Sequence, residues 1–300
     1  MAKSKKSKYL SSLVFDDTAE LLDYLESPEG MPKLSSKWMR SMSSIEGSEE
    51  FTGTRSFQHA VDLAREGWPE GREKMEGKLS GLTPYVQSSA RMPVETLDVA
   101  GYAPNVPAYC AGSPACMWSR DGDDVSGRAP VVRFLVNISM SFRITSDEIF
   151  NRGAALCAAI EYLEATDRRC EVVACCRLDD DLCTQDVFVT LKRAEEHPEL
   201  DRLAMFLAHP SILRRLIFRL NELDDKLFAG LVSHRGVPKD IEPEYGQVYL
   251  PAGKGWQLSG CDTPKHAMAA VLDQLQEAMD PASFASIGRD WEDAMAALRG

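Results

Sequence analysis

The sequence predicts an α/β protein built in three layers, with a mostly parallel sheet and a helical N-terminal region, on three observations. The stretch from Val131 to Ile138 is a predominantly apolar strand that stops at Asn137-x-Ser139-x-Ser141. A helix follows from about Ser146 to Ala165, and its Ile149, Ala154, Ala155, Ala158, Ile160, Tyr162 and Leu163 cover more than one apolar face, as expected of a helix buried against a sheet. Cys170 to Cys176 is then a nearly continuous apolar run of the kind a buried parallel strand carries.

The elements before this unit read differently. Lys3, Lys5, Lys6 and Lys8 lie among serines, which predicts a disordered, solvated basic arm over residues 1–14. Residues 15–80 read as a helical N-terminal region. Phe15 to Leu25 has Asp16 or Asp17 as its cap and Leu21, Leu22 and Leu25 as its apolar stripe. Residues 27–55 lack a sustained period and read as a linker or wrapping segment. Phe57, Ala60, Val61 and Ala64 recur at helical steps until Gly67-Trp68-Pro69, and Glu70 to Leu79 supplies the second arm of a helical hairpin with Trp68 at its corner. Residues 81–129 are rich in proline and glycine and read as an irregular wrapping arm.

Residues 130–300 form the expected α/β core domain with C-terminal helices. After Cys176 come a polar turn at Asp179-Asp180-Asp181 and a charged edge strand through Val187, Phe188 and Val189 to Lys192 and Arg193. Helices over 199–208 and 212–223 break at His209-Pro210, Gln247 to Leu250 is a last strand, and a helix spans Pro264 to Met279.

Composition excludes some functions. Forty-six acidic residues against 34 basic ones give a formal charge of −12, which opposes the counterion release behind non-specific nucleic-acid binding. No window approaches the ~18 consecutive apolar residues of a membrane span, and the N-terminal tail lacks the apolar middle of a signal peptide, so a cytoplasmic protein is expected. Of the eight cysteines, Cys157, Cys170, Cys175 and Cys176 fall in core segments, where cysteine acts as a small buried hydrophobe. Cys110 and Cys116 have no second pair at matching spacing, which argues against a zinc site.

The sharpest candidate site is Asn137, Ser139 and Ser141. In a strand they share one face, and at the carboxyl edge of an open sheet their oxygens point into the crevice where ligands bind. The competing role is structural, with Asn137 and Ser139 satisfying buried backbone groups or capping the next helix. Asp179, Asp180 and Asp181 are the alternative metal ligands, against which a solvated turn is the simpler explanation. Arg214, Arg215 and Arg219 read as the solvated basic face of an amphipathic helix. His209 and His234 sit at turns without a nucleophile motif, and Pro251-Ala252-Gly253-Lys254-Gly255 lacks the first glycine and the Ser or Thr of a Walker loop.

The order strand, Asn-x-Ser-x-Ser, long helix, second buried strand and antiparallel edge strand resembles the von Willebrand A-type fold over roughly residues 130–280. That family begins its motif with Asp where Asn137 stands here, so the resemblance implies at most weak holding of magnesium or calcium, and no cofactor is expected. A second resemblance covers most of the chain. Phe57-Gln58-His59-Ala60, Asp98-Val99-Ala100-Gly101, Asn151-Arg152-Gly153-Ala154-Ala155 and His209-Pro210-Ser211 look like an uncharacterised family of tailed-bacteriophage proteins.

A core-like scaffold without a catalytic constellation points to a non-enzymatic protein-binding or assembly module. It presents the edge at Asn137, Ser139 and Ser141 to another protein, such as a phage component or an AAA+ ATPase of the kind A-type domains accompany. The setting implied is an infected bacterial cytoplasm or a virion, and a virion structural protein is the variant that differs in copy number. The competing class is a metal-dependent hydrolase or nuclease using Asp179, Asp180 or Asp181 with Asp224 or Asp225.

Overall fold

The computed structural model describes residues 8–27, 49–79, 95–101, 103–120, 131–165, 168–180, 182–224, 227, 237–244, 247–253, 258 and 260–278. Within them the strands are β1 (Tyr9–Phe15), β2 (Glu95–Asp98), β3 (Ala103–Pro104), β4 (Met117–Arg120), β5 (Val131–Asn137), β6 (Arg169–Asp179), β7 (Cys183–Lys192), β8 (Val237–Pro238) and β9 (Gln247–Leu250). The α-helices are α1 (Thr18–Glu26), α2 (Glu49–Thr52), α3 (Phe57–Glu66), α4 (Pro69–Leu79), α5 (Val106–Cys110), α6 (Ser146–Ala165), α7 (Leu200–Ala208), α8 (Phe218–Leu223) and α9 (Pro264–Ala278). A π-helical turn, Ile212–Ile217, lies between α7 and α8.

The main sheet runs β1-β7-β6-β5-β9, with β8 beside β6. β5 is parallel to both β6 and β9, β1 is parallel to β7, and the β6–β7 hairpin reverses the direction between these groups. The mixed α/β class and the mostly parallel sheet expected from the sequence are therefore present.

Alternation along the strands divides this sheet into unlike faces. Phe134 and Val136 of β5, Val172 and Ala174 of β6, and Val187 and Val189 of β7 share one core with residues of α1, α3, α6, α7, α8 and α9. Leu135 and Cys175 point the other way and form a separate small cluster with Ile241. Among the described residues the helices that join this core lie on one face of the sheet. The reason is topological, because the β6–β7 hairpin needs no crossover and α6, which joins β5 to β6, packs into the same core as the helices between β7 and β9.

Two devices fix α6 on the sheet. Thr145 and Glu148 form a capping box, with Glu148 N donating to Thr145 Oγ1 at 3.2 Å and Thr145 N to Glu148 Oε2 at 2.9 Å. At Gly153 a Cβ would stand 2.4 Å from Ala208 Cβ and 2.6 Å from Leu207 O, so only glycine lets α6 and α7 approach this closely.

The N-terminus differs from the expected arm. From Tyr9 the chain is a full strand of the main sheet, registered on β7 from Tyr9↔Cys183 to Phe15↔Val189. Tyr9, Leu13 and Phe15 turn to the helical layer, and that gain in burial outweighs the solubility of the preceding lysines. Residues 1–7 of the expected arm lie outside the described residues. The helix expected from Phe15 starts instead at Thr18, where Asp17 accepts from Glu20 N at 2.8 Å. β7, expected at an edge, is internal because β1 covers it.

The helical hairpin at 57–79 is present, with Gly67 at φ +93° between its arms and Trp68 edge-on to His209 at 4.6 Å between ring centroids. The expected irregular arm is not irregular throughout: residues 95–120 hold the small antiparallel sheet β2-β4-β3 and helix α5.

Candidate functional site

The carboxyl end of β5 does not present the expected rim. Asn137 and Ser139 are both 0 % exposed, and Ser141 is half-buried. Asn137 Oδ1 accepts from Ser139 N at 3.0 Å and Ser139 Oγ at 2.5 Å, while its Nδ2 donates to Lys239 O at 2.8 Å and Tyr249 Oη at 3.1 Å. Arg152 of α6 donates to Asn137 O at 3.0 Å and Pro251 O at 2.9 Å. The 251–253 loop closes the end from the side, with Gly253 N donating to Ser139 O at 2.9 Å and Ser141 N to Gly253 O at 2.7 Å. Backbone carbonyls of the two covering loops need donors, and Asn137 and Arg152 supply them. The structural role weighed for Asn137 and Ser139 therefore replaces the ligand edge, although the helix cap itself comes from Thr145. Burial pushes the Arg152 guanidinium below its usual value, offset in part by Cys261, Cys175, Tyr249 and Asp240.

The aspartate turn is likewise committed. Asp179 accepts from Lys8, Lys239 and Thr184. Burial alone would raise its carboxyl, but the hydrogen bonds from Lys239, Lys8 and Thr184 hold it well below the usual carboxylate range. Asp180 Oδ1 accepts from Leu182 N at 3.1 Å, a local turn bond, and Asp181 lies outside the described residues. Asp224, the proposed catalytic partner, accepts from Tyr9 Oη at 2.7 Å, and Asp225 lies outside the described residues. No group of three or more His, Cys, Asp or Glu among the described residues is placed to hold a metal ion.

The basic face expected on the 212–223 helix is buried. Arg215 is 0 % exposed and donates to Thr54 Oγ1 and Thr54 O, each at 2.8 Å. Arg214 donates to Ile144 O at 2.6 Å and lies 4.0 Å over the Phe51 ring, while Arg219 lies 4.3 Å over Phe57. The π-helical turn over 212–217 changes the spacing of the rows and sets these guanidiniums beneath residues 51–57 as clamps. Burial lowers all three, Arg214 to about 10. His209 is also buried, its Nδ1 2.7 Å from Ser211 Oγ, and burial with His59 nearby lowers it to about 4. His234 lies outside the described residues. Cys157, Cys170, Cys175 and Cys176 are buried thiols, whereas Cys110 is exposed and Cys116 half-buried.

Among the described residues, the helices of the main core leave the opposite face of the sheet uncovered. Cross-strand pairs of opposite charge run over it: Arg133 faces Glu171 at 3.8 Å, and Arg177 grips Asp186 with two 2.6 Å bonds. Lys8, Asp179 and Lys239 continue the pattern beside an open groove of about 580 Å³. At its edges Leu10 and Val14 of β1 are 72 % and 66 % exposed, and Val131 of β5 is 45 % exposed. Sequence reasoning missed this surface because it assigned β1 to an arm; the alternation of Tyr9, Leu13 and Phe15 with Leu10, Ser12 and Val14 was the available signal.

Residues 3–284 match the family described as a domain of unknown function (DUF7192), and the chain belongs to that family. No curated protein matches the chain, and no solved structure does. No helix among the described residues is long and apolar enough to cross a membrane.

Proposed function

We propose that this protein is a non-enzymatic binding or assembly module whose working surface is the helix-free face of the main sheet. One observation carries the reading: Arg133 with Glu171, exposed, and Arg177 with Asp186, partly buried, form cross-strand charge pairs on this face, bordered by the exposed Leu10, Val14 and Val131 and not overlaid by the helices of the main core. A solvated sheet face with paired charges resists indiscriminate aggregation yet offers a patterned platform to a complementary protein. The groups that chemistry would need are instead spent on structure: Asn137, Ser139 and Asp179 each hold bonds inside the fold.

The von Willebrand A-like reading is supported by the strand order β7-β6-β5-β9, in which the first buried strand sits centrally and β7 opposes it, and by the long helix from β5 to β6; β1 and β8, which also run against β5, are additions to that order. The departure is at the carboxyl edge, where Asn137 replaces Asp and is buried, so binding moves from the rim to the open face. The two resemblances noted above motivate the partner class: the whole-chain one a phage protein, the A-type one an AAA+ ATPase. Copy number in purified particles, read by mass spectrometry, separates an assembly factor from a virion structural protein.

The test is affinity capture from infected cells with Arg133→Glu, which reverses charge on the open face, beside Asp62→Arg on the exposed side of α3. The reading expects Arg133→Glu to lower partner recovery at least tenfold and Asp62→Arg to leave it unchanged. Equal recovery with both variants contradicts it.

A further inference from the structure

The β1 edge carries an inference that stands apart from any other partner. β1 is the end strand of the main sheet, and among the described residues it pairs only with β7. Tyr9 N donates to Leu182 O at 2.9 Å, which fixes the phase of the parallel ladder. Backbone groups of Tyr9, Ser11, Leu13 and Phe15 therefore face β7, and those of Leu10, Ser12 and Val14 point outward from the sheet. The side chains of Leu10 and Val14 are among the most exposed large apolar groups of the described residues.

We infer that this edge pairs with the same edge of a second copy, antiparallel, about a two-fold axis through Ser12. That register sets Leu10 opposite the partner's Val14, Ser12 opposite the partner's Ser12, and Lys8 opposite the partner's Asp16. Each match is self-complementary, as a two-fold interface requires: apolar on apolar at both flanks and cation on anion at both ends. Lys8, half-buried on the open face against Asp179, shares its ammonium between Asp179 and the partner's Asp16, which is exposed. A shift by two residues keeps the two-fold axis but sets Leu10 opposite the partner's Asp16 or the partner's Ser12, losing the apolar matches. The axis stands perpendicular to the sheet, so the helices of both copies stay on one side and the open faces join into one continuous surface. Pairing also disposes of an edge that would otherwise remain a template for unspecific strand addition.

Sedimentation of the full chain over a wide concentration series is expected to give twice the mass of one chain. Ser12→Pro removes one outward N–H while leaving the bonds to β7, and is expected to return the protein to a single chain with unchanged circular dichroism. Cysteine pairs test the register without touching the backbone. In a Cys110→Ser/Cys116→Ser background, Ser12→Cys sits about 5.5 Å Cα to Cα from its copy, within disulfide reach, and is expected to cross-link under mild oxidation. Val14→Cys lies some four strand positions, about 13 Å, from its copy and is expected not to. A single-chain mass at every concentration, or Val14→Cys cross-linking as readily as Ser12→Cys, overturns the inference. Either result leaves partner recovery by the open face to be judged by its own assay.

Discussion

The two faces of the main sheet are made from the same strands by alternate residues, yet they do opposite work. Toward the helices, Phe134, Val172, Ala174, Val187 and Val189 join a core that runs through most of the described helices. Toward the open side, Leu135 and Cys175 form only a small cluster with Ile241, Val173, Phe188 and Tyr249, and two cross-strand charge pairs, Arg133–Glu171 and Arg177–Asp186, flank it. The difference teaches that stability and recognition are separable here by a shift of one residue along a strand. The helical side can be perturbed only at the cost of the fold, while the open side can be rewritten at little cost.

The largest effect that could break this contrast belongs to Phe134→Ala, which empties a 1 % exposed position under the helices. Urea unfolding is expected to register a loss of about 3–5 kcal/mol. Arg215→Ala comes next, expected to lose about 3 kcal/mol by the same measurement, because it removes a buried side chain and strands Thr54 Oγ1 and O without their donor. If either cost were under ~1 kcal/mol, the helical face would not be the seat of stability.

A third effect depends on pH. Burial holds His209 neutral, with its value lowered from 6.5 to about 4, so the unfolded chain takes up a proton before the folded one does. That contribution is complete above about pH 6.5 and is lost as the pH falls toward about 4, amounting to roughly 3 kcal/mol. Thermal unfolding of His209→Gln across this range should be flatter than that of the natural protein. The smallest effect sharpens the contrast from the other side: Val131→Thr, on the open face away from the β1 edge, is expected to change stability by less than ~0.5 kcal/mol.

The unit from 131 to 193 was legible because each of its elements announces itself locally, by apolar runs at Val131 and Cys170 and a broadly apolar helix between them. β1 was not, because its lysine-rich approach signals an arm and its partner strand β7 begins more than a hundred residues later, at Cys183. The fate of Asn137 was hidden for a similar reason: the carbonyls of Lys239 and Pro251 that claim Asn137 and Arg152 arrive from loops distant in sequence. Arg214 and Arg215 read as solvated because a regular helix sets them opposite Leu213 and Leu216, whereas the π turn rotates them inward. Periodicity reveals which residues share a face, but not which face another part of the chain will cover.

The separation of faces is tested most directly by placing a photo-crosslinking side chain at Val131, Arg133 or Glu171 on the open face, and at Asp62 or Glu66 on the exposed side of α3, then irradiating infected cells and sequencing the adducts. The account predicts a recurrent protein adduct from the open-face positions and none from α3. Adducts confined to α3, or distributed alike over both sets, would contradict it.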